Sequence, residues 1–86
     1  MFVIAVYDIQ TKRVAKVRKV MRKYLHAVQK SVFEGHLTAR QLTALKQELQ
    51  TLVVPEEDSV LIYKHTPESK MVRERRGKIS DSFFIL

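Results

Sequence analysis

The chain has 86 residues, the size of one small domain, and its sixteen lysines and arginines against nine acidic residues give a net charge of +7. Such a positive balance favours a polyanionic partner such as nucleic acid. Cysteine is absent, which excludes disulfides and thiolate metal sites and favours a cytoplasmic protein, and no apolar run is long enough to cross a bilayer, so we expect no membrane association.

The first predicted strand covers residues 2–8 and ends on Asp8. Its unbroken run of apolar and aromatic residues is typical of a strand that is buried on both faces and therefore central in a sheet. An aspartate at the end of such a strand is a candidate metal ligand. The same aspartate is equally suited to cap the next helix or to pair with Arg13, and the spacing alone leaves both alternatives open.

The first predicted helix follows, with Thr11 as its N-cap and Tyr24 near its end. Apolar residues recur on one face, which we expect to pack on the sheet. The remaining surface is basic and contains no acid, so that like charges repel one another along the helix. We therefore predict contact with nucleic-acid phosphates rather than simple solvation. The predicted nucleic-acid-binding residues are Lys12, Arg13, Lys16, Arg18, Lys19, Arg22 and Lys23.

Residues 26–37 alternate between apolar and polar types, which predicts two further strands, although the pattern does not show where one ends and the next begins. Glu34 and Gly35 form a candidate bulge or turn within this region.

The second predicted helix begins with a complete set of start signals. Thr38 is the expected N-cap, Gln41 completes a capping box, and Leu37 is placed to contact Leu42 across the helix start. Pro55 ends the helix. The leucine stripe is expected to face the core and consists of Leu42, Leu45, Leu49 and Leu52.

An acidic cluster at residues 56–58 lacks the alternating ligands and glycine of a calcium loop, so we predict a solvated turn. A strand over residues 59–64 follows. Residues 67–86 are then a basic segment that ends in an apolar strand at residues 83–86. Because this strand should not stay in water, we expect it to pair with its own sheet or with the edge of a neighbour's sheet.

The order of these elements predicts an α+β fold, a ferredoxin-like βαββαβ sandwich formed by residues 1–66 with an extra C-terminal strand. Residues 67–86 would complete either this domain or the sheet of a dimer partner. One face of the sheet would carry both helices. The other face is also apolar and needs a cover, and a second copy of the same chain is the simplest one, so we predict a homodimer.

Three stretches together resemble a known family. They are Val-Tyr-Asp-Ile at residues 6–9, Val-Gln-Lys-Ser-Val-Phe-Glu-Gly at residues 28–35 and Glu-Asp-Ser-Val-Leu-Ile-Tyr at residues 57–63. With the basic helix between the first two, they resemble the small CRISPR-associated endoribonucleases, the family numbered two among the CRISPR-associated proteins. The similarity covers residues 2–64. Leu25 and Ala27 depart from the pattern, because the family commonly has glycine and arginine there.

The resemblance implies a ferredoxin-like homodimer that acts in CRISPR adaptation, binds the CRISPR integrase subunit and contacts the DNA backbone. Several relatives are described as magnesium-dependent endonucleases on RNA or DNA. By this resemblance Asp8 is the catalytic metal ligand for Mg²⁺ or Mn²⁺, with Tyr7, Ser31 and Phe33 as supporting residues near it.

Two alternatives remain open. Besides the endonuclease, these are a purely structural DNA-binding adaptor without catalysis and a single-stranded RNA-binding module. The latter stacks bases on exposed aromatic residues of central strands. The aromatic residues here are spaced as in a core or an interface instead, and they include Phe2, Tyr7, Phe33 and Tyr63.

Overall fold

The computed structural model describes residues 1–65 and the backbone of residues 71–77. Two helices and five strands follow one another along this part of the chain. They are β1 (Phe2–Asp8), α1 (Thr11–Tyr24), β2 (His26–Gln29), β3 (Val32–His36), α2 (Ala39–Leu52), β4 (Ser59–His65) and β5 (Met71–Gly77).

The strands form one sheet in the order β2-β3-β1-β4-β5, and every neighbouring pair is antiparallel. The α+β class and the central place of β1 are thus confirmed. Val6 of β1 pairs with Val32 of β3 on one side and with Leu61 of β4 on the other. The end of β1 therefore lies beside the start of β4, where Asp8 pairs with Ser59.

One face of the sheet carries both helices and the main core. Alternate residues of the central strands point to this side, among them Val3, Ala5 and Ile62, all of which are buried. Val17 and Met21 of α1 pack there, which confirms the apolar face predicted for this helix. The leucine stripe of α2 joins the same core, and each leucine fully buried in it contributes about 1.5–3 kcal/mol relative to an exposed one.

The opposite face carries a smaller apolar cluster. Ile4, Leu61 and Tyr63 are buried in it, and Phe2, Val6 and Val32 pack against them while staying partly exposed. Neither described helix packs on this face, which is called the helix-free face below. Neither of these helices is long and apolar enough to pass through a bilayer.

The turn between β2 and β3 does not lie at Glu34 and Gly35, the candidate bulge or turn in the sequence. Lys30 and Ser31 form the turn between β2 and β3, and the irregularity in pairing lies between Ala27 and Gln29. Gly35 is an ordinary strand position, and an added Cβ would approach Leu25 Cδ2 to 3.2 Å. A larger residue at position 35 would therefore press against the buried side chain of Leu25.

A fifth strand, which the sequence did not predict, follows β4. Met71–Gly77, which the sequence presents as a basic segment, pairs with β4 over its full length. The apolar strand predicted at residues 83–86 falls outside the described residues.

The two helices begin differently. Thr38 accepts a hydrogen bond from the Gln41 backbone N–H at 3.1 Å, and the Gln41 side chain accepts one from the Thr38 N–H at 2.9 Å, so the predicted capping box is confirmed. Helix α1 instead has Gln10 at the N-cap position, without a capping hydrogen bond from that side chain. The prediction of Thr11 as the N-cap is wrong, because Thr11 is already the first helical residue.

Candidate functional site

A cleft of about 460 Å³ opens where three parts of the chain meet. The end of β1, the start of α1 and the turn between β2 and β3 form its walls. Its lining residues are Tyr7, Asp8, Ile9, Thr11, Val14, Arg18, Lys30 and Ser31. Four of the predicted site residues, Tyr7, Asp8, Arg18 and Ser31, are therefore brought together in one place.

Asp8 is exposed at the rim of this cleft. Side chains alternate along β1, so Asp8 lies on the same side of the sheet as Ile4 and Val6, the helix-free side. Its carboxylate makes no hydrogen bond or ion pair with any residue of the described part of the chain. A carboxylate left without partners at a concave site is available to a ligand.

A second aspartate, Asp58, has the structural role that the sequence offered to Asp8. Its side chain is 0% exposed. It accepts hydrogen bonds from the backbone N–H groups of Gln10 at 2.9 Å and Val54 at 2.8 Å. Arg13 donates to both of its oxygens, from Nε at 2.6 Å and from Nη2 at 3.0 Å. The alternative that Asp8 pairs with Arg13 or caps α1 is therefore wrong.

The electrostatics of this pair follow from its geometry. The hydrogen bonds from Arg13, with those from two backbone N–H groups, lower the pKa of Asp58 to about 2. The same contact, reinforced by a hydrogen bond to Glu57 at 2.7 Å, raises the pKa of Arg13 above its already high value. The prediction of a solvated acidic turn holds for Glu56 and Glu57, which are exposed, and is wrong for Asp58, which is buried and paired with Arg13.

Arg18 is the centre of a hydrogen-bonded cluster in the cleft. Its Nη1 donates to the Tyr7 hydroxyl at 2.8 Å and to the Lys30 carbonyl at 2.6 Å. Tyr7 in turn donates its hydroxyl proton to the same carbonyl at 3.0 Å. The guanidinium carbon lies 5.3 Å from the centroid of the Phe33 ring, within the range of a cation–π contact. Phe33 thus supports the cluster from the core and does not line the cleft.

Apart from Arg18, the predicted basic residues of α1 divide into two groups of three. Three are held by acids: Arg13 as described, Lys12 at 4.0 Å from Glu57, and Lys23 by an ion pair with Glu48. The Glu48 hydrogen bond raises the pKa of Lys23 and also that of Tyr24. A second set is exposed and has no acidic partner among the described residues. It consists of Lys16, Lys19 and Arg22.

Sequence reasoning missed Asp58 and the role of Lys30. Lys30 lies inside the conspicuous Gln-Lys-Ser stretch, so the signal for it was present. The role of Asp58 could be predicted only from the strand pairing. That pairing sets Ser59 beside Asp8 and so brings the preceding residue, Asp58, to the start of α1.

The fit to a metal ion rests on Asp8. Over the described residues, no three histidine or acidic side chains come together to hold one. Magnesium in proteins is commonly bound through one or two carboxylates, with water and phosphate oxygens completing its shell. A single free carboxylate on a cleft with hydroxyl groups from Thr11 and Ser31 fits one part of such a shell.

Comparison with known proteins agrees with these observations. Residues 1–72 match the family model described as CRISPR associated protein Cas2. The chain is 39% identical over 83 residues to the CRISPR-associated endoribonuclease Cas2 of Thermococcus kodakarensis, covering 94% of this chain and 98% of that relative. It is 51% identical over 63 residues to the protein of the same name from Thermotoga maritima, covering 73% of this chain and 72% of the relative.

Solved structures give the same result. One crystal structure of Cas2 superposes with a TM-score of 0.71 at 36% identity, covering 100% of this chain and 85% of that one. Streptococcus pyogenes Cas2 superposes with a TM-score of 0.70 at 30% identity, covering 77% of this chain and 87% of that one. The resemblance seen in the three sequence stretches is confirmed, and the chain belongs to the CRISPR-associated Cas2 family.

Proposed function

We propose that this chain is a dimeric, cytoplasmic nucleic-acid-binding protein of CRISPR adaptation, in which Asp8 is the ligand of Mg²⁺ or Mn²⁺ for phosphodiester hydrolysis. The observation that carries the proposal is the exposed Asp8 carboxylate, which has no partner among the described residues and lies in a cleft that also contains Arg18 and Lys30. The printed names of the relatives, CRISPR-associated endoribonuclease, agree with this chemistry.

The fold supports the proposal through its strand order. The first four strands lie in the order β2-β3-β1-β4 with both helices packed on one face, which is the arrangement expected of a ferredoxin-like βαββαβ unit. The fifth strand then extends the sheet at its β4 edge.

The helix-free face supports the dimer. Phe2, Val6 and Val32 remain partly exposed there, beside buried Ile4 and Leu61, and a second copy packed on this face would remove them from water. Asp8 lies on the same side of the sheet. A two-fold axis near the end of β1 would set two Asp8 carboxylates opposite each other, which supplies the second carboxylate that a single chain lacks.

The residues of the cleft would have separate tasks. Asp8 would hold the metal, and the chemistry that such an ion supplies is activation of a water molecule and stabilisation of negative charge on the phosphate. Arg18 and Lys30 would neutralise the phosphate and orient the nucleic-acid strand. Both lie on the wall formed by α1 and the β2–β3 turn. Tyr7 keeps Arg18 in place through its hydroxyl.

A cleavage assay tests the catalytic part. Wild type, Asp8→Asn and Glu56→Gln are compared on RNA and DNA with Mg²⁺ and with chelator. Glu56 is the matched control, because it is an exposed acid outside the cleft. We expect Asp8→Asn to lose at least about a hundredfold in rate and Glu56→Gln to retain it. Equal cleavage by wild type and Asp8→Asn would show that Asp8 is not the catalyst.

The second candidate function is a DNA-binding adaptor that joins the integrase without cleaving. It is favoured by the exposed cations Lys16, Lys19 and Arg22, which need no metal to attract phosphates. With chelator present, binding should weaken steeply with salt and show little sequence preference. If Asp8→Asn binds DNA and the integrase as wild type does, and wild type itself does not cleave, the adaptor function is the correct one.

A further inference from the structure

We propose that Arg18, unlike the exposed cations of α1, is a site-specific phosphate-binding residue: it fixes the β2–β3 turn with one nitrogen and presents its remaining edge to a phosphodiester in the cleft. This inference rests on the proposed function and deepens it. It names which cation makes a directional contact and which cations supply only charge.

The hydrogen-bond arrangement of Arg18 leaves one edge of the guanidinium group open. An arginine side chain has five N–H donors. The two on Nη1 are used, one by the Tyr7 hydroxyl and one by the Lys30 carbonyl. The donors on Nε and Nη2 have no partner in the described part of the chain. These donors form the edge of the planar fork that matches two oxygens of one phosphate.

The position of this edge is set in advance. The guanidinium group stacks over Phe33, which is 0% exposed and cannot shift without disturbing the core. Arg18 itself is only partly exposed, whereas Arg22, one helical turn later, is exposed and makes no hydrogen bond, ion pair or ring contact with the described residues. A side chain that is already ordered loses less rotamer freedom when it binds, so its contact contributes more to affinity.

The same contacts also position the β2–β3 turn, which forms part of the same wall of the cleft as Arg18. Lys30 and Ser31 form the turn, and both line the cleft. Because Arg18 and Tyr7 both donate to the Lys30 carbonyl, they hold the turn against the end of β1. The backbone N–H of Tyr7 donates to the Ser31 carbonyl at 3.1 Å and closes this arrangement. Arg18 thus binds phosphate from a wall that it also helps to build.

The test compares two substitutions that both keep the positive charge. Arg18→Lys removes the fork, and Arg22→Lys is the matched control on the same helix. Affinity of the full chain for a labelled single-stranded oligonucleotide is measured in chelator at fixed salt, after thermal unfolding has shown that each variant is folded. We expect Arg18→Lys to bind about tenfold more weakly and Arg22→Lys to stay within about twofold of wild type.

A measurement on the wild type keeps the test independent of how well Arg18→Lys folds. The Nε–H resonance of Arg18 is followed by NMR while the oligonucleotide is added, and we expect it to shift and saturate with binding. A purely structural clamp would leave it unmoved, and that result overturns the inference. Equal affinities of the two lysine variants, with a wild type that binds, overturn the inference alone. A wild type that binds no nucleic acid overturns both the inference and the proposed function.

Discussion

Asp8 and Asp58 lie at adjacent strand ends and are used in opposite ways. Asp58 is fully buried and accepts hydrogen bonds from two backbone groups and from both ends of the Arg13 fork. Asp8 is exposed, and no described residue donates to its carboxylate. A buried charge is tolerated only when it is fully paired, whereas an exposed one needs no partner from the fold. Asp58 therefore serves stability, and Asp8 is left for a ligand.

The largest expected effect is on the free energy of unfolding. Asp58→Ala should lower it by about 3–5 kcal/mol, because Arg13 and two backbone N–H groups lose their acceptor. Asp8→Ala should change it by no more than about 0.5 kcal/mol. Urea unfolding at pH 7 measures both. Equal losses for the two variants would break the distinction between the two aspartates.

The structural role of Asp58 should also appear in the pH dependence of the free energy of unfolding. The folded-state pKa of Asp58 is lowered to about 2, so its contribution is fully present above its unfolded pKa and is lost as the pH falls from near 4 to 2. The loss assigned to Asp58 is about 2 kcal/mol. We expect Asp58→Asn to flatten the curve of unfolding free energy over this interval, measured by urea unfolding at each pH. An Asp58→Asn curve that is parallel to the wild-type curve would contradict the assignment.

The basic residues of α1 should also differ in role, because some are held by acids and others are free to contact phosphate. Lys16→Gln should reduce the slope of log affinity for DNA against log salt by about 1, because this exposed lysine is free to contact phosphate. Arg13→Gln should instead lower the stability of the fold and leave the slope near that of wild type, since its guanidinium is held by Asp58 and Glu57. Binding isotherms at several salt concentrations measure the slopes. A reduced slope for Arg13→Gln would place this residue in the interface.

The smallest effect concerns the two helix starts. Thr38→Ala should cost about 1 kcal/mol of unfolding free energy, because it removes a capping side chain. Thr11→Ala should cost little, since Thr11 is the first residue within α1 and the side chain at the N-cap, Gln10, makes no capping bond. Unfolding curves for the two threonine variants, recorded side by side, check this difference.

The features that the sequence predicted correctly are determined by residues close to one another in the chain. The apolar run of β1, the leucine stripe of α2 and the Thr38 capping box are all set within a few residues. The partner of Arg13 was not predictable in this way, because it lies 45 positions away and is chosen by the register of β1 and β4. Strand β5 was missed because its charged residues pair through the backbone and carry no apolar pattern.

The candidate site was predicted in part for the same reason. Tyr7 and Asp8 stand at a recognisable strand end, and Ser31 lies in a recognisable motif. Their meeting with Arg18 depends on how α1 crosses the sheet and on the turn at Lys30, which is a tertiary arrangement. Sequence alone therefore listed the cations of α1 without separating those held by acids from those left free.

The most direct test of the central claim is a crystal of the protein soaked in Mn²⁺ and measured for anomalous scattering. We expect a Mn²⁺ ion bound by Asp8 carboxylate oxygens of two protomers at about 2.1 Å, with the helix-free faces packed together. A crystal in which the two Asp8 carboxylates lie too far apart to share an ion, and in which neither binds Mn²⁺, would contradict the claim.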